Sequence, residues 1–131
     1  MNRDRLRAQL VLHEGSRLKP YRDTVGKLTI GIGRNLDDVG LSEDEVDYLF
    51  RNDVDHVEKQ LRGAVPCFGS LDDVRQRVLA DMAFNLGVGG LVRFRQMLAA
   101  VEARDFDRAA AEMLSSKWAD QVGERARRRQ R

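Results

Sequence analysis

The chain has 131 residues, enough for one domain with a buried core and too few for two ordinary ones. Its 23 Lys and Arg nearly cancel its 21 Asp and Glu, and a net charge of +2 gives little general attraction for nucleic acid. The single Cys67 excludes an internal disulfide, and no run approaches the about 20 apolar residues that span a bilayer.

From the N-terminus, Leu6, Leu10 and Val11 recur at helical spacing between Asp4 and His13. Gly15 then supplies the left-handed residue that ends helices, which puts Glu14 at a helix end. Leu18 to Tyr21 reads as extended, Asp23 to Gly26 as a turn, and Leu28 to Ile32 as an alternating strand. Leu28, Ile30 and Ile32 are expected on one face; Thr29, Gly31 and Gly33 are expected on the other, nearly bare of side chains and open to a ligand.

Ser42 and Glu45 form a capping box, followed by one apolar stripe of Val46, Leu49, Phe50, Val54, Val57 and Leu61. This predicts the longest helix, ended by Gly63 and Pro66. Ser70 and Asp73 repeat the capping pattern ahead of Val74, Val78, Met82, Ala83 and Leu86, and Gly87, Gly89 and Gly90 break the chain. Leu91, Phe94, Met97, Leu98 and Val101 predict another helix. Asp105 caps a short one holding Phe106, Ala109, Ala110, Met113 and Leu114, and a basic helical segment follows Trp118. The fold class is therefore α+β, mainly α.

Glu14, Asp23 and Thr29 fall at a helix end, a turn and a strand, three elements able to hold side chains around one cleft. Two carboxyls and a hydroxyl suit glycan cleavage, in which one acid protonates the leaving oxygen and a second group manages water. Glu14 taken alone reads first as a solvated residue of a charge-rich chain; its spacing with Asp23 and Thr29 favours the catalytic reading without deciding it. Other signals are weaker. GIGRNL, from Gly31 to Leu36, lacks the third glycine and the helix of a dinucleotide loop. Asp53 and Asp55 do not face each other on a helix, so with His56 they make no metal site. His13 reads as a helix-end residue, and Cys67 as a bystander.

The segment EGSRLKPYRDTVGKLTIGIG, from Glu14 to Gly33, resembles the catalytic signature of the phage-type lysozymes, the family that includes the T-even phage endolysins. SEDEVDYLFRNDVD, LDDVRQRVLADMAFNLG, FRQMLAAVEARDFDRAAAEM and SKWADQVGERARR resemble that family's later helices in the same order, so the likeness covers nearly the whole chain. It implies a lysozyme-like, two-lobed domain: a small N-terminal β-hairpin or sheet and a helical C-terminal lobe, joined by a long helix. Residues 14–60 would form the small lobe with its connecting helix, and 1–13 with 61–131 the helical lobe.

The resemblance implies a muramidase that cleaves the β-1,4 link between N-acetylmuramic acid and N-acetylglucosamine, with inversion. Glu14 is its expected acid, with Asp23 and Thr29 handling the water. Arg125 matches an arginine that meets the glutamate across the cleft and orients it. Leu28, Gly31, Phe84, Asn85 and Gly87 are the further substrate-contact candidates. No cofactor or metal is implied, and the partner is peptidoglycan. The N-terminus MNRDRLRAQLVLHEG has no long apolar core or cleavage site, so synthesis is expected in the host bacterial cytoplasm, with a holin giving access to the wall. A monomer is expected. A non-catalytic wall-binding or phage structural module of the same fold is the alternative, and a nucleic-acid binder using Arg125, Arg127, Arg128, Arg129 and Arg131 is a more distant one.

Two departures stand out. Arg34 and Asn35 occupy the place of a histidine and a leucine, and the loop from Asn35 to Gly40 is shorter than in the T-even proteins, which predicts a trimmed small lobe. The sequence also ends within the arginine cluster, where family members usually add a further helix, so a minimal or truncated form is expected.

Overall fold

The computed structural model describes residues 1–115, which fall into two compact units, Met1–Phe50 and the residues from Arg51 onward. Trp118, Arg125 and the basic segment lie outside the described residues.

Helix α1 (Arg3–Glu14) begins at Asn2, whose side-chain oxygen accepts the Arg5 amide at 3.0 Å. It stops because Gly15 turns to φ 77° and donates its N–H to the Val11 carbonyl at 2.9 Å. Strand β1 (Arg17–Arg22) then pairs antiparallel with β2 (Leu28–Gly31), setting Arg17 opposite Gly31 and Tyr21 opposite Thr29. The register shifts between those two pairs, around Pro20, which has no N–H to give to a ladder. The guanidinium of Arg17 lies 4.7 Å from the centre of the Tyr21 ring, consistent with both facing the Thr29 and Gly31 side.

Strand β3 (Arg34–Asn35) completes a sheet of order β1-β2-β3. The alternation expected as far as Ile32 and Gly33 is corrected here. β2 ends at Gly31, and Ile32 and Gly33 turn the chain into β3, with φ of 68° at Gly31 and 71° at Gly33. Both values fall where glycine is free of the Cβ penalty, so the pair that left the strand face bare also lets the chain reverse. Thr29 and Gly31 keep a common face, and Gly33 leaves it.

Helix α2 (Glu43–Ala64) starts with the anticipated reciprocal cap. The Glu45 amide donates to Ser42 Oγ at 3.2 Å and the Ser42 amide to Glu45 Oε1 at 2.9 Å. Along its stripe, Val46, Leu49 and Phe50 are exposed, Val54 and Val57 half-buried, and Leu61 wholly buried.

In the second unit, α3 (Asp73–Leu91) takes Asp72 as its cap residue, not Ser70. Ser70 belongs to the short 3-10 turn Phe68–Ser70 and its hydroxyl is already used, donating to the Cys67 carbonyl at 2.8 Å. Leu71 is extended, and this carries the helix start two residues onward. Of the three glycines expected to break the chain, only Gly87 does so, at φ 72° and ψ 159°. Gly90 instead permits close packing, since a Cβ there would stand 2.9 Å from Leu86 Cβ. Helix α4 (Arg95–Glu102) and α5 (Phe106–Leu114) follow, the latter capped by Asp105 through the Arg108 amide at 3.2 Å. Leu61, Val65, Met82 and Leu91 are its most buried side chains, and Leu79, Met97 and Ala100 join the same core.

Candidate active site

Asp23 is held by its own turn. Its Oδ1 accepts the Val25 amide at 3.0 Å and the Lys27 amide at 2.8 Å, while its N–H donates to the Lys27 carbonyl at 2.9 Å. Thr29 is 3% exposed, the one buried polar side chain among the described residues, and its Oγ1 donates to that same Lys27 carbonyl at 2.9 Å. The backbone of Lys27 thus fixes both groups. With its proton committed to Lys27, the hydroxyl of Thr29 has only lone pairs to offer a further partner. Oδ2 of Asp23 has no hydrogen bond among the described residues.

Glu14 is the last residue of α1, exposed, and without a hydrogen bond or ion pair among the described residues. Its side chain runs beside Gly33, close enough that a Cβ on the glycine would meet Glu14 Cγ at 3.3 Å.

A ring of charge braces this unit. The Leu28 amide donates to Asp37 Oδ2 at 2.8 Å, and Arg22 lies 3.6 Å from the same carboxylate. Lys27 Nζ bonds Asp38 Oδ1 at 3.1 Å and, with Asn35 assisting, holds that carboxyl below the usual range against partial desolvation. Arg34 bonds Glu45 at 2.7 Å and the Gly40 carbonyl at 3.1 Å. Arg34 therefore ties β3 and the loop that ends at Gly40 to the start of α2 through its bond to Glu45. That hydrogen bond, followed by the Ser42 amide, lowers the Glu45 pKa to about 2, and the same contact raises that of Arg34.

Of the other site candidates, Leu28 is half-buried and Gly31 ends β2 opposite Arg17. Phe84, Asn85 and Gly87 belong to α3 in the second unit: Phe84 is exposed, Asn85 donates to the Asp81 carbonyl at 2.8 Å, and Gly87 forms the bend. Arg125 lies outside the described residues. The structure therefore gathers Glu14, Asp23, Thr29, Leu28 and Gly31 within one unit. Sequence reasoning missed the Lys27 backbone and the Arg34–Glu45 pair. The Asp-Thr-Val-Gly-Lys turn was a usable signal for the first, because aspartate bonds backbone two residues on. Elsewhere, burial raises the Cys67 thiol, with Glu102 adding to the effect, which keeps it protonated and a poor nucleophile.

A small antiparallel sheet followed by helices that carry the core belongs to the lysozyme-like α+β class. The family model described as phage lysozyme matches residues 11–131, and the chain belongs to that family. It is 27% identical over 152 residues to each of two probable T4-type lysozymes of Dictyostelium discoideum, covering 94% of this chain and 89% of theirs. It is also 30% identical over 143 residues to the pre-baseplate central spike protein Gp5 of Enterobacteria phage T4, covering 88% of this chain but 25% of that protein. Family membership supports a lysozyme-like hydrolase function. Among the described residues no helix is long and apolar enough to cross a membrane.

Proposed function

We propose that the protein hydrolyses the β-1,4 bond between N-acetylmuramic acid and N-acetylglucosamine in bacterial peptidoglycan. Glu14 donates its proton to the glycosidic oxygen as the C–O bond breaks. A water attacks the anomeric carbon from the opposite face and gives its proton to Asp23, while Thr29 accepts a hydrogen bond from that water and orients it. The product then has inverted configuration, which requires the two carboxyls to stand roughly 6.5 to 9.5 Å apart. Leu28 and Gly31 contact sugar from the sheet; on the family resemblance alone, Phe84, Asn85, Gly87 and Arg125 are further substrate-binding residues.

The observation that supports this reading is the shared anchoring of Asp23 and Thr29 on Lys27, with no hydrogen bond to Asp23 Oδ2 among the described residues. Access to the wall through a holin, and action as a monomer, belong to the same proposal.

The test is clearing of a bacterial wall suspension by Glu14→Gln beside wild type. Loss of a general acid is expected to slow clearing by about 10²–10⁴-fold at unchanged thermal stability. Equal clearing by both proteins would sink the assignment. The likeness to a phage spike protein supports a second reading, a lysozyme-like module within a virion structural protein. That reading predicts wall binding with no release of reducing ends by wild type.

A further inference from the structure

Five glycines of the first unit, Gly15, Gly26, Gly31, Gly33 and Gly40, have positive φ, and space around them separates one from the rest. A Cβ built on Gly15, Gly26 or Gly31 would find no atom within 4 Å, and on Gly40 only the Leu36 carbonyl at 4.0 Å. At those four the positive φ is met with no tight neighbour. On Gly33 the same Cβ would stand 3.3 Å from Glu14 Cγ, 3.6 Å from its Cβ and 3.7 Å from its Cδ. These three nearest atoms all belong to one side chain.

Among the described residues Glu14 has few other restraints. It ends α1 just before the chain turns at Gly15, and its carboxylate has no hydrogen bond or ion pair among the described residues. An unrestrained glutamate samples several staggered rotamers, whereas an acid catalyst must bring its oxygen within hydrogen-bond reach of the leaving atom. From this geometry we infer that Gly33 is a positioning residue for Glu14. The bare α-carbon in the β2–β3 turn is the surface along which the glutamate stem lies, so the absence of a side chain there sets where the carboxyl stands. The inference rests on the assignment of Glu14 as the acid.

A side chain at position 33 has two separable consequences. The left-handed backbone, at φ 71°, becomes strained, and the Glu14 stem must move by a few tenths of an ångström or change rotamer. Gly40→Ala reproduces the first consequence, at φ 65°, without the second. Misplacement of a reacting group by about 1 Å can cost on the order of 10²-fold in rate, so a smaller displacement is expected to cost roughly tenfold.

The experiment compares wild type, Gly33→Ala, Gly40→Ala and Glu14→Gln on solubilised peptidoglycan chains, with rates normalised to folded protein. Gly33→Ala and Gly40→Ala should lose thermal stability by similar amounts. Gly33→Ala alone should lose roughly tenfold in kcat with KM little changed, and alone should shift the limb of the pH–rate profile that reports the acid. Should Gly33→Ala fold poorly, Gly33→Asn keeps the Cβ with less backbone strain and should give the same loss in kcat. Equal kcat for the position 33 and position 40 variants, with Glu14→Gln inactive, would overturn the inference and leave the proposed function standing. Full activity of Glu14→Gln would overturn both.

Discussion

In the proposed mechanism Asp23 has two jobs, and substitution can separate them. Its Oδ1 accepts two backbone amides, from Val25 at 3.0 Å and Lys27 at 2.8 Å, while Oδ2 has no hydrogen bond among the described residues and is the oxygen proposed for chemistry. Hydrogen bonds to a charged acceptor contribute about 1.5–3 kcal/mol each, and at this half-buried turn the low end applies. Asp23→Ala removes both acceptors and should destabilise the first unit by about 3 kcal/mol, since the Lys27 amide that also anchors the site loses its partner. Asp23→Asn keeps a carbonyl oxygen where Oδ1 stood and loses only the charge, so its structural cost should be about 1 kcal/mol or less. Activity should not follow stability. With its charge gone, Asp23→Asn should clear walls about 10²–10⁴-fold more slowly, because an amide cannot take a proton from water. Hydrogen exchange at the Val25 and Lys27 amides reports the turn, and wall clearing reports the chemistry. Preserved protection with wild-type clearing in Asp23→Asn would refute the catalytic role and leave Asp23 a turn former. Unchanged protection in Asp23→Ala would refute the hydrogen-bond accounting.

The Arg34–Glu45 clasp should respond to acid. Because the folded pKa of Glu45 is depressed to about 2 from an ordinary 4.5, its contribution is complete above about 4.5 and is lost as pH falls toward 2. NMR titration of the Glu45 carboxyl should give a midpoint near 2 that returns toward the ordinary value in Arg34→Gln, and an ordinary midpoint in wild type would contradict the contact. In the second unit, Met82 is fully buried, so Met82→Ala should cost about 2–5 kcal/mol by denaturant titration. Val46→Ala, on the exposed part of α2, should cost about 0.5 kcal/mol or less.

Local signals were legible because their physics is local. Gly15, the Ser42–Glu45 box and the Asp105 cap each depend on residues within one helical turn, and the structure forms all three. Ser70 misled because its hydroxyl has a competing use in the preceding turn, a choice that the Ser-to-Asp spacing does not record. The end of β2 was hidden for a related reason. Leu-Thr-Ile-Gly-Ile-Gly alternates through Gly33, and only pairing of Ile30 with Arg34 makes Ile32 and Gly33 a turn.

By itself the sequence determined the fold class, several helix caps and, through the Glu14 to Gly33 signature, the family and the identity of the candidate catalytic residues. Tertiary structure decided what holds those residues. Arg34 finds Glu45, Asp23 and Thr29 converge on the Lys27 backbone, and Glu14 lies along Gly33. Caps and periodicity arise between neighbours a turn apart, whereas these contacts arise only once hairpin register and the direction of α1 bring distant residues within van der Waals or hydrogen-bond range.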